Sequence, residues 1–211
     1  MQAESLQTEY VLASGNQGKL RELAGMLQPL GFALRPQSDW QLAGVEEVAT
    51  TFIENALLKA RHAAHFTGLP SIADDSGLVV PALDGEPGIH SARYAGEDAD
   101  DQANMHKLLR QLKTTPGPDR RAYFYCALVL LDSADDPAPL ISTARWHGEI
   151  LHAQQGDGGF GYDPLFYVPG RGCSAAELSL EEKQKISHRG QALAGLIRQL
   201  RARDHQHDKP R

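Results

Sequence analysis

Tyr10-Val11-Leu12-Ala13-Ser14-Gly15-Asn16-Gln17-Gly18-Lys19-Leu20 is the stretch on which the reading of this chain turns. Four residues in strand-like order stop at Ser14, and an amphipathic helix pattern begins almost at once: Leu20, Leu23, Leu27 and Leu30 share one face, and Gly31 follows as a stop. Phe32 to Arg35 then reads as another strand. Strand, helix, strand is one α/β unit, and its first turn lies at the carboxyl end of a strand, where ligands of such sheets usually bind. The turn has the composition of an anion cradle. Its glycines let the backbone bend tightly, the helix start presents N–H groups, and Lys19 adds a full charge. It departs from the P-loop of ATPases, because Ser14 stands where a glycine is needed and Leu20 where a Mg²⁺-binding Ser or Thr follows the lysine. An ordinary glycine-containing turn would look the same in isolation, so the rest of the chain must decide.

The pattern continues with a helix expected from about Thr51 to Phe66, burying Phe52, Ile53, Ala56, Leu57, Ala60 and Ala63 or Ala64 and ending at Gly68. Leu69 to Ala73 reads as a short apolar strand, broken by a turn at Asp74-Asp75-Ser76-Gly77 before Leu78-Val79-Val80 resumes. Carboxylates are thus expected at a strand–turn–strand junction. Asp84 to Gly96 reads as a loop, Asp101 to Leu112 as a helix, and Arg121–Asp132 and Leu140–Leu151 as a long antiparallel pair that makes the sheet mixed. After the glycine-rich stretch Gly156 to Tyr162 come a short strand at Leu165–Val168 and a charged segment leading into a final helix through about Arg201. Ser179 with Glu182 is a capping-box signature, and Ser187 can cap a second helical start. The expected organisation is one domain over residues 10–203, an N-terminal extension over 1–9 and a polar C-terminal tail over 204–211.

At 211 residues and 41% hydrophobic, the chain can bury a full core. A formal charge of −6 argues against a nucleic-acid coat or a polybasic membrane anchor, since both depend on a positive field. Cys126 and Cys173 read as reduced and structural. The N-terminus lacks the basic start and apolar stretch of a secretory signal, and no apolar run approaches the ~20 residues that span a bilayer. The expectation is a soluble, cytoplasmic protein.

Asp74-Asp75 is the strongest local candidate for catalysis, because adjacent carboxylates leaving an apolar strand are costly unless solvated, paired or bound to a metal. Magnesium suits such a group: it takes oxygen ligands and is often held by one or two carboxylates plus substrate phosphates. Glu46-Glu47, before the second helix, could supply a further carboxylate or simply favour the helix N-terminus. Phe160-Gly161-Tyr162-Asp163 offers rings that can stack on a base and a carboxylate that can accept its hydrogen bonds, or an aromatic anchor for a loop. Lys183 and His188 would stand about 140° apart on one unbroken helix, so their convergence with Arg189 needs a break before Ser187. His62 and His65 lack a third ligand, and no zinc motif or Ser–His–Asp elbow is present.

Taken together, Ser14–Lys19, Thr51-Phe52-Ile53-Glu54-Asn55-Ala56, Ile72–Gly77, Pro87-Gly88 with Ser91-Ala92-Arg93-Tyr94, Gly159–Pro164 and Ser187-His188-Arg189 resemble the inosine/xanthosine triphosphate pyrophosphatase family. The likeness runs in order from about Val11 to Leu200 and is close to the family's bacterial dITP/XTP branch. It implies an elongated mixed α/β fold of two lobes around a nucleotide cleft, a cytosolic homodimer, and Mg²⁺-dependent hydrolysis of ITP, dITP and XTP to monophosphate and pyrophosphate. On that resemblance Ser14, Gly15, Asn16, Gln17, Gly18 and Lys19 hold the triphosphate. Asp75, with Glu46 or Glu47, holds the metal, and Asp75 also orients or deprotonates the attacking water. Ser76 touches the nucleotide, and Phe160, Gly161, Tyr162, Asp163, Lys183, His188 and Arg189 form the base and phosphate pocket. A sensor that binds triphosphates without cleaving them, or a pyrophosphatase for modified pyrimidines, would share much of this equipment.

Overall fold

A computed structural model of the chain describes residues 8–115, 117 and 119–207. The expectations for residues 1–7 and 208–211 lie outside the described residues. Seven strands form one sheet in the order β2-β1-β3-β4-β5-β6-β7. They are β1 Glu9–Ala13, β2 Ala33–Pro36, β3 Ser71–Val79, β4 Arg121–Leu131, β5 Leu140–Ile150, β6 Phe166–Val168 and β7 Cys173–Ser174. The helices are α1 Gln17–Leu27, α2 Phe52–Thr67, α3 Asp101–Thr114, α4 Leu180–Ile186 and α5 His188–His207. β1 runs parallel to both β2 and β3, whereas β6 runs antiparallel to β5 and β7, so the sheet is mixed and the fold α/β.

The strand patterns explain this order. Ala127 to Leu131 of β4 are completely buried, as a central strand covered on both faces requires. From Ser142 to Ile150, β5 instead shows period two: Ser142, Trp146, Gly148 and Ile150 are buried, while Thr143, Arg145, His147 and Glu149 are exposed.

The chain divides into two compact units. One takes the chain up to Asp74, Ala127–Ser142 and the part from Leu193 on; the other takes Asp75–Cys126 and Thr143–Ala192. The first buries Val11, Leu12 and Ala13 of β1, Leu20, Leu23 and Leu27 of α1, and the alanine stripe Ala56, Ala60, Ala63 and Ala64 of α2. The second has one cluster that includes Leu78, Met105, Leu108, Leu112, Phe124, Trp146, Tyr162 and Phe166.

Four expectations need correction. No turn interrupts residues 74–77, because β3 runs through them; the Asp74 carboxylate is met by Lys19 inside the protein, so the chain has no need to bend it out to solvent. On α2, Phe52, Ile53 and Leu57 are only half-buried, and the buried face includes Asn55. That face is small enough for Ser71 Oγ on β3 to donate to the Ala60 carbonyl at 2.8 Å. The last helix continues to His207, since no glycine or proline follows Arg201 until Pro210 and Arg203 is anchored by an ion pair to Asp132 at 2.6 Å. The segment expected as a loop, Asp84 to Gly96, contains a 3-10 turn at Gly88–Arg93.

Asn55 fixes the chain ahead of α2. Its Oδ1 accepts the Ala49 N–H at 3.1 Å and its Nδ2 donates to the Ala49 carbonyl at 3.4 Å, while Thr51 caps the helix by accepting the Glu54 N–H. Asn55→Ala strands both Ala49 groups and is expected to lower stability by about 1–3 kcal/mol, read as a urea midpoint shift. An unchanged midpoint would show that Asn55 does not hold this segment.

Candidate active site

In the first unit, the register Val11↔Ser71, Leu12↔Ile72, Ala13↔Ala73 sets the carboxyl end of β1 beside the first residues of parallel β3, which runs on past it. The residues that follow, Ser14 and Asp74, are therefore neighbours by construction. Strand order places β1 between β2 and β3, the reversal of winding at which open α/β sheets bind ligands. The turn after β1 owes its shape to side chains. Ser14 Oγ accepts the Asn16 N–H at 3.2 Å, and Asn16 Oδ1 caps α1 by accepting the Lys19 N–H at 3.1 Å. Gly15 and Gly18 do not use a positive φ, so the tight glycine bend expected there is replaced by this capping geometry. A side chain at Gly15 would meet nothing within 4 Å, which leaves the exposed surface of the cradle open. Gln17 is exposed at the helix start, and Lys19 turns back so that its Nζ lies 3.4 Å from Asp74 Oδ1, a carboxylate wholly removed from solvent.

The acidic pair ahead of α2 is split by its surroundings. Glu47 accepts a hydrogen bond from Lys59 Nζ at 3.0 Å, and Glu46 is exposed. Lys59 is thus more than part of a solvated helix face: its side chain is 13% exposed.

In the second unit, Asp75 is buried on β3, and the next residue, Ser76, accepts a hydrogen bond from Arg189 Nη2 at 2.9 Å. Arg189 is 1% exposed. A second cation, Lys183, is as thoroughly buried and lies 2.6 Å from Asp163 Oδ2. The same carboxylate oxygen accepts the Phe160 N–H at 2.9 Å. Phe160 is half-buried, with Lys183 Nζ 4.8 Å and Arg189 Cζ 5.8 Å from its ring centre. Tyr162 faces a different fate: it is buried in the cluster and its hydroxyl donates to the Ser91 carbonyl at 2.8 Å. Burial, and then the neighbouring Tyr94 and the carboxylate of Asp101, push its ionisation far up, so it stays a donor.

The break needed for convergence is present. α4 ends at Ile186, Ser187 is extended, and its Oγ accepts the Gly190 N–H as α5 begins. A side chain on Gly190 would run into the carbonyl oxygen of Gln184, so glycine lets the new helix pack against the end of the old one. His188 is buried rather than solvated. Its ring stacks on Phe124 at 4.8 Å and 11° and lies 6.3 Å from Trp146. That stack escaped the sequence reading because it joins residues distant in the chain, and the Asn55 clamp and the Lys59–Glu47 pair because each reaches from α2 back to an irregular segment whose path has no local signature.

Among the described residues, no three His, Cys, Asp or Glu side chains gather as a self-sufficient metal cage, and no helix is long and apolar enough to cross a membrane. Asp74 and Asp75 point to opposite faces of β3 and Asp74 is engaged by Lys19, so Asp75 alone is the hard oxygen donor of the kind that binds Mg²⁺ jointly with substrate phosphates.

Known proteins resemble this chain along nearly its whole length. The model of the Ham1 family matches residues 10–199. A Shigella flexneri protein named dITP/XTP pyrophosphatase is 58% identical over 193 residues, covering 92% of this chain and 98% of the relative. The Escherichia coli K12 protein of the same name is 56% identical over the same shares. Among solved structures, a HAM1 protein from Coxiella burnetii has a TM-score of 0.86 at 48% identity, covering 92% of this chain and 99% of that one. The Ham1 protein of Staphylococcus aureus gives 0.81 at 42% identity, covering 93% and 100%.

The Lys183–Asp163 pair carries a stability test. Lys183→Met leaves a buried carboxylate without its ammonium and is expected to cost about 3–5 kcal/mol in urea unfolding, of which Asp163→Leu added to it recovers a large part. A single variant as stable as the parent would show that the pair is not held in a dry site.

Proposed function

This chain belongs to the Ham1 family, and from that premise we propose that it hydrolyses non-standard purine nucleoside triphosphates, ITP, dITP and XTP, to the monophosphate and pyrophosphate. It thereby removes deaminated purines from the nucleotide pool. The observation that carries the reading is the half-buried Phe160 ring bracketed by two buried cations, each already tied to an acceptor. Such a ring is a stacking platform, and the groups around it are fixed hydrogen-bond donors. Hypoxanthine and xanthine present a 6-keto acceptor to a donor, whereas adenine presents an amino group. A site built around donors can reject the mismatched base by a factor of order 10⁴, because its buried polar groups are left unpaired.

Each residue then has a role. Ser14 to Lys19 take phosphate oxygens through helix N–H groups and the ammonium. Asp75 would hold Mg²⁺, which supplies neutralisation of the charge spread over the phosphates during displacement. Its carboxylate orients the attacking water at the α-phosphorus and accepts its proton. Ser76, tied to Arg189, and the segment Phe160 to Asp163 with Lys183 and His188 shape the base end. A homodimer in the cytoplasm completes the reading; a mass of 23.0 kDa by light scattering would remove the dimer from it.

Incubation with ITP and Mg²⁺ should release IMP and pyrophosphate. Orthophosphate as product would point to a γ-phosphatase, and no turnover to a binding protein. Asp75→Asn is expected to lower kcat at least about 100-fold with the unfolding midpoint little changed; retained turnover would take the catalytic role from Asp75. Arg189→Lys keeps the charge but loses the planar fork, and should cut the ITP-to-ATP ratio of kcat/KM by about 10-fold or more. An unchanged ratio would overturn the donor account of base selection.

A further inference from the structure

The ring of Phe160 has a fixed position only if the peptide planes on both sides of its Cα are held. One is: the Phe160 N–H is accepted by Asp163 Oδ2 at 2.9 Å, within the ionic cluster. The other is held from elsewhere. The Gly161 N–H donates to Asp101 Oδ2 at 2.7 Å, and Asp101 is the first residue of α3. Gly161 sits at φ +63°, a backbone conformation that L side chains rarely adopt. The next residue of α3 makes a second contact to the chain leading into that segment, since the Gln102 and Gln154 amides exchange reciprocal hydrogen bonds of 3.2 and 2.8 Å. Asp100, one residue earlier, caps α3 by accepting the Ala103 N–H at 2.7 Å. The first turn of α3 is thus built by one acidic residue and used as a clasp by its two successors.

We propose that Asp101 is a positioning residue for nucleobase binding: its bond to the Gly161 N–H, seconded by the Gln102–Gln154 pair, sets the pose of Phe160. This rests on the reading of the site as a purine triphosphatase. Asp101 touches neither substrate nor metal. It acts through the ring, so losing it weakens capture of the base and leaves the chemical step alone.

The test compares three variants of the full-length chain in ITP hydrolysis with Mg²⁺. Asp101→Ala removes the acceptor and should raise the KM for ITP about 3- to 10-fold with kcat within about twofold, and should speed hydrogen exchange of the Gly161 amide. Asp101→Asn keeps an oxygen acceptor and should restore most of the KM. Asp100→Ala removes the cap of the same helix, and should lower the unfolding midpoint without moving KM. A normal KM in Asp101→Ala, or an equal KM rise in Asp100→Ala, overturns the clasp while leaving the functional reading intact. Failure of the unsubstituted chain to turn over ITP overturns the functional reading, and the clasp's role with it.

Discussion

Burying Lys183 is the constraint from which the second unit's site follows. An ammonium taken out of water costs several kcal/mol unless an opposite charge goes with it, and a carboxylate costs as much alone. Lys183 and Asp163 can therefore be buried only together, at 2.6 Å. The segment before Asp163 has no independent choice of position, because the same oxygen that meets Lys183 also accepts the Phe160 N–H. The aromatic ring inherits its place from an ion pair. Arg189, also buried, donates to the Ser76 hydroxyl, which ties the start of α5 to the strand carrying Asp75.

That arrangement demands a particular chain path. A continuous helix through residues 180–207 would put Lys183 and His188 about 140° apart, and one of them would face water. The extended Ser187 resets the direction, and Gly190 allows α5 to start against the carbonyl of Gln184. Lys183, His188 and Arg189 can then all be buried. The stack of His188 on Phe124 and Trp146 supplies apolar contact to the imidazole faces, so a polar residue is accommodated at the edge of a hydrophobic cluster.

What could be read from the sequence was what short spacing encodes. The leucine period of α1 as far as Leu27, the stop at Gly31, the capping box at Ser179 and the break at Ser187 all arise from residues within a turn or two of each other, whereas Leu30, expected on the same face, is exposed in a 3-10 turn beyond the helix. The continuity of β3 could not be read in this way. Asp-Asp-Ser-Gly has every local attribute of a turn, and what keeps it extended includes the remote Lys19, which meets Asp74. The cradle after β1 misled for a different reason: its two glycines suggested a backbone bend, while the side chains of Ser14 and Asn16 make the turn. Asp101 offered no signal at all, since an acidic residue at a helix start is favourable by itself and its bond to Gly161 spans sixty positions.

On the proposed function, the parallel pairing of β1 with β3 would suit a lysine in the first turn of α1 to a polyphosphate. Register fixes Ser14 beside Asp74, so the carboxylate is in place before any ligand arrives, and Lys19 is oriented by it at 3.4 Å. An ammonium has three donors, and one carboxylate oxygen does not exhaust them. Such a contact costs little to share when phosphate oxygens arrive at the helix N-terminus, whereas a lysine left to swing in solvent would lose rotamer entropy on binding. The buried aspartate thus does for the lysine what the ion pair at Asp163 does for Phe160: it settles the geometry of a side chain through a partner inside the protein, which on the proposed function an incoming nucleotide need not displace.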